Sequence, residues 1–386
     1  MKGILRIVGL VLILAAFAAL VVTILLLLGW SLNVPDWVPF LSDIGNSEPT
    51  VERFVDPPPG DWDDYVSRTY KWEYREGEGP FATTHSFELT LNIPEELYLY
   101  YKGLERAPTP DYSIYVTHQT DDPFIQTLAD ELEDMAEEKN FDSRETVEFA
   151  ASFIQDSGCI AYALEGTEGE YPKYPLETLW EKEGDCEDSS ILVAAILQLM
   201  GYDAVLVNFP PADSEDAGHM GVGVAGDFSG ARYTYDGTAY YYMETTDVWP
   251  LGEIDDEYRN RQATIYELDP IPVLKFHIQE PPNSAFVWTI SETILGGGNR
   301  DVKLTTAVRN WGTVAAEDAY VRASYDGQHW FPADYEDSYF DLQAGEQISD
   351  LQVEFTVPGG DDDVEVQLIH DGTVADKTDI NLEQES

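Results

Sequence analysis

Between Ile7 and Trp30 the chain runs 24 residues without a charge. As an α-helix this stretch would reach about 36 Å, enough to cross a hydrocarbon layer of roughly 30 Å. It has no polar face, so lipid suits it better than the edge of a water-facing core. Secretory signals carry a shorter apolar region and a small-residue cleavage site, which Gly29-Trp30-Ser31-Leu32-Asn33 does not offer. The run therefore reads as an uncleaved transmembrane anchor. Lys2 and Arg6 precede it and acidic Asp36 and Asp43 follow, so the N-terminus is expected in the cytoplasm and residues 31 onward outside the cell.

Charge narrows the partners. With 73 acidic against 21 basic residues, the formal net charge is -52. Such a surface repels phosphate backbones and anionic lipid, which excludes nucleic-acid binding and leaves the anchor as the membrane contact. The acidic residues are scattered through periodic segments rich in aromatics, so they read as a solvated coat on folded domains. The pattern resembles proteins adapted to molar salt, where a Debye length of about 3 Å screens the self-repulsion. With only Cys159 and Cys186, the chain is no disulfide scaffold, and no Cys or His cluster suggests a metal or other cofactor.

At 386 residues the chain exceeds the size at which one core keeps growing, so a lead segment and two folded domains are expected. Residues 1–30 form the anchor, and Pro35, Pro39, Pro49 and Pro57-Pro58-Pro59-Gly60 mark 31–60 as an extended stalk. Tyr70, Trp72 and Tyr74, then Phe87, Leu89 and Leu91, alternate as in half-buried strands. Helical spacing follows from Pro123 through Met135 and from Thr146 through Phe153, and again over 187–200, with Gly201 placed to stop the last helix. Strands are expected over 202–208, 219–225, 232–235 and 239–244, the last two joined at the Asp236-Gly237 turn. Beyond Pro282 the alternation is of strands only, which predicts a β-sandwich over 284–386. Its Asn310-Trp311-Gly312 and Asp326-Gly327 turns make it similar to immunoglobulin-like adhesion modules.

Cys186 stands at the start of the helix over 187–200, where unpaired N–H groups would favour a thiolate. His219 heads a strand and shares a face with Gly221 and Gly223; two small residues there would let the cysteine helix pack close, with Met220, Val222 and Val224 facing the core. A base of this kind needs a third group to fix its tautomer; Glu244, at the end of its strand, is the candidate, with Asp247 in reserve. Asp185, Glu187 and Asp188 work against the thiolate.

The run Tyr174-Pro175-Leu176-Glu177-Thr178-Leu179, then Gly184-Asp185-Cys186-Glu187-Asp188 opening an apolar helix, then Gly201-Tyr202-Asp203-Ala204, His219 and Tyr240-Tyr241-Tyr242-Met243-Glu244, resembles the transglutaminase-like superfamily in its microbial, papain-like form. The resemblance implies an α+β fold, with a helix bearing the cysteine packed on an antiparallel sheet, here in a domain over 61–272 that includes an N-terminal β extension. It also implies acyl transfer through a thioester on a peptide or protein substrate, with Cys186 as nucleophile, His219 as base and Glu244 in place of the family's usual aspartate. Gln155 or the Cys186 backbone N–H could serve an oxyanion. Two other readings stay open: a Cys159–Cys186 disulfide that silences the site, and a catalytically idle surface scaffold or adhesion protein.

Overall fold

The computed structural model describes residues 51–55, 64–77, 82–163, 171–212, 218–278, 285–292, 299–333, 339–359 and 362–383. The expected anchor over 7–30 and most of the stalk lie outside them. Among the described residues no helix is long and apolar enough to cross a membrane. The fold is mixed and sheet-rich, and residues Thr50–Ser386 form one compact unit.

Its first layer is a three-stranded sheet of β1 (Val51–Val55), β2 (Tyr65–Glu76) and β3 (Thr83–Pro94), in the order β1-β3-β2. Residues 51–55, within the Pro-rich stretch, thus pair in parallel with β3 rather than standing free as stalk. The alternating aromatics of β2 and β3 turn to one face, where Trp72 and Phe87 meet Phe153 and Phe149 at ring distances of 5.1 and 4.8 Å. Those two phenylalanines lie on α4, the fourth of the helices α1 (Glu95–Lys102), α2 (Ser113–Val116), α3 (Asp122–Lys139) and α4 (Ser143–Gln155). Asn140 ends α3 in the left-handed region at φ 60°, and Asp142 with Glu145 forms a capping box that starts α4.

Two short strands, β4 (Ala161–Tyr162) and β5 (Glu183–Gly184), flank α5 (Pro175–Glu181) and pair in parallel just ahead of α6 (Cys186–Leu199). Helix α6 is apolar nearly all round because it is enclosed by α2 to α5 on one side and by a sheet on the other. That sheet contains β6 (Ala204–Phe209), β7 (His219–Ala225), β8 (Arg232–Tyr235), β9 (Thr238–Met243) and β10 (Thr264–Glu267), antiparallel in the order β10-β6-β7-β9-β8. Gly201 leaves α6 at φ 85°, and Asp236-Gly237 turns β8 into β9 with φ values of 41° and 84°.

Which face meets α6 differs from the sequence expectation. Met220, Val222 and Val224 belong to the same core as Ile191 to Leu197 of α6, whereas Gly221 and Gly223 face a separate cluster of Val205, Val207, Tyr240 and Tyr242. A Cβ at 221 would lie 2.6 Å from the Tyr242 ring, and one at 223 would lie 2.8 Å from Val205. The glycines thus make room for the Tyr242 ring and for Val205, Val207 and Tyr240 on the far side of the sheet, not for the helix.

After the sheet, β11 (Leu274–His277), β12 (Phe286–Glu292) and β13 (Arg300–Asn310) are followed by β14 (Ala316–Ser324), β15 (Phe331–Pro332), β16 (Phe340–Leu342), β17 (Gln347–Val357), β18 (Asp363–His370) and β19 (Thr373–Asn381). One sheet has β13 at its centre and the other holds β14, β18 and β19; both turn their apolar faces to a common core. The Asn310-Trp311-Gly312 turn is clamped to the connecting chain: Trp311 N donates to Val273 O at 2.7 Å and Thr313 N to Ile271 O at 2.9 Å. Backbone approaches so closely there that a Cβ on Gly312 would lie 2.1 Å from Ile271 O.

Candidate functional site

Each residue of Gly184-Asp185-Cys186-Glu187-Asp188 has a local reason. Asp185 caps α6 by accepting from Asp188 N at 3.3 Å. Asp188 is fully buried and accepts from Lys173 N at 2.7 Å, while the Lys173 ammonium stands 3.4 Å from its other oxygen. Gly184 is required because any Cβ would lie 2.7 Å from that of Asp188. The motif thus holds the strand before the helix, the helix start and the preceding chain in one register, with Cys186 half-buried at its tip.

His219 heads β7 and Glu244 follows its neighbour β9, beside the aromatic cluster of Phe209, Tyr242 and Tyr258. His219 Nε2 is 3.0 Å from Glu244 Oε2, and the imidazole stacks on Tyr258 at 4.8 Å between centroids. The same carboxylate oxygen accepts from Tyr242 OH at 3.0 Å. Its other oxygen accepts from Thr245 N at 3.0 Å, Thr246 N at 2.9 Å and Thr246 Oγ1 at 2.7 Å. Burial raises the pKa of this carboxyl, but the hydrogen bond and charge of His219 and the two Thr246 donors outweigh it, leaving the group at about 2. Glu244 is therefore an anion, and an anion can only accept. Nε2 accordingly carries the hydrogen, and Nδ1 is the nitrogen left to take a proton.

The sulfur of Cys186 meets the backbone N–H of Met220, the residue after His219, and that contact favours its anion. Among the described residues its side-chain hydrogen bond goes to Glu187 Oε2 at 2.9 Å rather than to the imidazole. Burial, then the Glu187 carboxylate and Asp185, drive the thiol's pKa well above the ordinary range. The expectation of a helix start that favours a thiolate is thus outweighed by burial and by the acids Glu187 and Asp185.

Three further expectations resolve. Asp247 is exposed and bonds Val248 N and the Trp249 indole, away from the imidazole. Gln155 is engaged elsewhere: its Nε2 donates to Glu244 O at 2.7 Å and Trp249 O at 3.4 Å, so it braces the strand end. Both cysteines are free, and Cys159 is buried, with burial pushing its thiol up to about 12. The disulfide reading is thereby overturned. Sequence reasoning missed Tyr242 and Thr246 as partners of Glu244 and Tyr258 as the ring under His219. Tyr242 was legible by parity, two residues before Glu244 on one strand face; Thr246 and Tyr258 lie in loops and carried no signal. Among the described residues no group of three or more His, Cys, Asp or Glu is arranged to hold a metal.

No protein-family model and no curated protein matches the chain. Among solved structures it is similar to LapG of Legionella pneumophila. The EGTA-treated form matches at 16% identity over 40% of this chain and 79% of that one, with a TM-score of 0.29. The calcium-bound form matches at 16% identity over 40% and 83%, with a TM-score of 0.28. A candidate protease from Parabacteroides distasonis is 12% identical over 64% of this chain and 62% of that one, with a TM-score of 0.26.

Proposed function

We propose that the chain is a thiol hydrolase or acyltransferase of the transglutaminase-like kind, acting on peptide or amide bonds. Cys186 attacks the carbonyl, His219 Nδ1 takes the thiol proton and returns it to the leaving amine, and Glu244 holds the ring and stabilises its charged form. The acyl group stays on sulfur as a thioester until water or an amine takes it. The Cys186 backbone N–H serves the oxyanion. The observation that carries this reading is the bond between His219 and a Glu244 anion held by four further donors, at the head of the strand whose next amide touches the Cys186 sulfur. In this reading residues 1–30 anchor the protein in the cell membrane, and the domain over 61–272 and an immunoglobulin-like sandwich over 284–386 work outside the cell.

The sulfur's bond to Glu187 favours a second reading, an idle domain that presents a binding surface. Quenched-peptide cleavage in molar salt separates the two. Wild type should cleave and Cys186→Ala should not; equal, background rates for both would overturn the hydrolase.

A further inference from the structure

The resting position of the thiol proton bears on what the site accepts. Cys186 donates to Glu187 Oε2 at 2.9 Å, and both residues are half-buried, so a ligand at the helix tip can reach that carboxylate. Among the described residues, the groups that act on the sulfur include Asp185 and Glu187 from its own segment, Tyr162 from β4, Tyr242 from β9 and the Met220 amide from β7. Tyr162 is 54% exposed and stands at the open side. A carboxylate that holds a nucleophile's proton can be drawn off by acid or by a cation. Acid strong enough to neutralise a carboxylate also protonates an imidazole and removes the base. A cation leaves the imidazole neutral, and a carboxylate beside a half-buried site attracts one.

We propose that Glu187 gates the nucleophile: a lysine or arginine side chain of the substrate, next to the scissile bond, pairs with this carboxylate and frees the thiol, so that the site selects peptides carrying a basic residue there. The proposal rests on the thiol-hydrolase reading. At rest the S–H bond is intact and donates to Glu187. With the carboxylate paired to the substrate cation, the S–H turns to His219 Nδ1, which takes the proton. The freed electron pair on sulfur forms the C–S bond, the C–N bond breaks, and the imidazolium proton leaves with the amine.

The test follows alkylation of Cys186 by iodoacetamide on the full chain, read by mass spectrometry of the Cys186 peptide, at one fixed molar salt concentration with a chelator against divalent ions, so that the organic additive is the only cation that differs between samples. Glu187→Gln should label about tenfold faster or more near neutral pH, since each unit of fall in thiol pKa gives ten times more thiolate. N-acetyl-arginine amide should accelerate wild type several-fold and leave Glu187→Gln unchanged, while N-acetyl-leucine amide affects neither. Glu187→Asp, which keeps the charge on a shorter stem, should fall between the two and guards against misfolding of the amide variant. Equal rates and equal pH midpoints for wild type and Glu187→Gln would overturn the gate, as would arginine amide accelerating both alike. Cleavage of peptides is read separately. If cleavage fails while the labelling contrast holds, the gate stands and the hydrolase falls; if cleavage proceeds without the contrast, the reverse is true.

Discussion

Replacing Glu244 by glutamine isolates the charge at the centre of the site. The carboxyl lies at about 2 in the fold, against an ordinary value of 4.5, with 7% of the residue exposed. That difference is worth about 3 kcal/mol of folding stability. Because the folded value is the lower one, the stabilisation is complete above the unfolded value and disappears as pH falls through the folded one. About 2 kcal/mol of it is gone by pH 3. Urea unfolding of wild type and Glu244→Gln should therefore show a gap of about 3 kcal/mol at neutral pH that shrinks to about 1 at pH 3. Activity should fall further than stability. In the variant the amide oxygen stays with the three donors of Thr245 and Thr246, which turns the NH2 group toward His219 Nε2. A donor there forces the ring hydrogen onto Nδ1, the nitrogen that must accept the thiol proton, and turnover should drop by about two to four orders of magnitude. A gap that stays constant with pH would refute the charged-carboxylate argument, and full turnover in Glu244→Gln would refute the assigned tautomer.

Three other outcomes follow from the same contacts. Gly221→Ala places a Cβ 2.6 Å from the Tyr242 ring, so it should destabilise by about 1–3 kcal/mol in thermal unfolding and slow turnover by moving the Tyr242 hydroxyl off Glu244; an unchanged Tm would count against the close approach. Gln155→Leu strips the Glu244 and Trp249 carbonyls of a buried donor and should cost about 1–3 kcal/mol. It should lower kcat while leaving the Cys186 alkylation rate unchanged, and a change in that rate would place Gln155 at the thiol after all. With a net charge of -52, Tm should rise steeply between dilute buffer and about 1 M salt, where the Debye length falls to about 3 Å; a flat Tm would remove the salt-adaptation reading.

Much of this architecture is legible in residue order. Alternation in β2, β3 and β7 appears where apolar residues recur every second position, because a strand's side chains must alternate. The apolar run and the stop of α6 at Gly201 are readable in the sequence, since left-handed stops are local chemistry, whereas the cap at Asp185 appears in the structure. The pairing of His219 with Glu244 is also accessible, because His219 heads β7 and Glu244 follows the last residue of its antiparallel neighbour β9.

Parity says which residues share a face and nothing about which face is covered. Only the assembled core put α6 against Met220, Val222 and Val224 and gave the glycine side to Tyr240 and Tyr242. The same holds for the thiol. A helix tip and a first-turn carboxylate pull its proton in opposite directions, and the balance is set by burial and by a 2.9 Å hydrogen bond that exist only once the chain has closed around them. Local order thus determined the elements and the chemical types at the site, while long-range packing decided where each polar group points, because a hydrogen bond depends on distances between residues far apart in the chain.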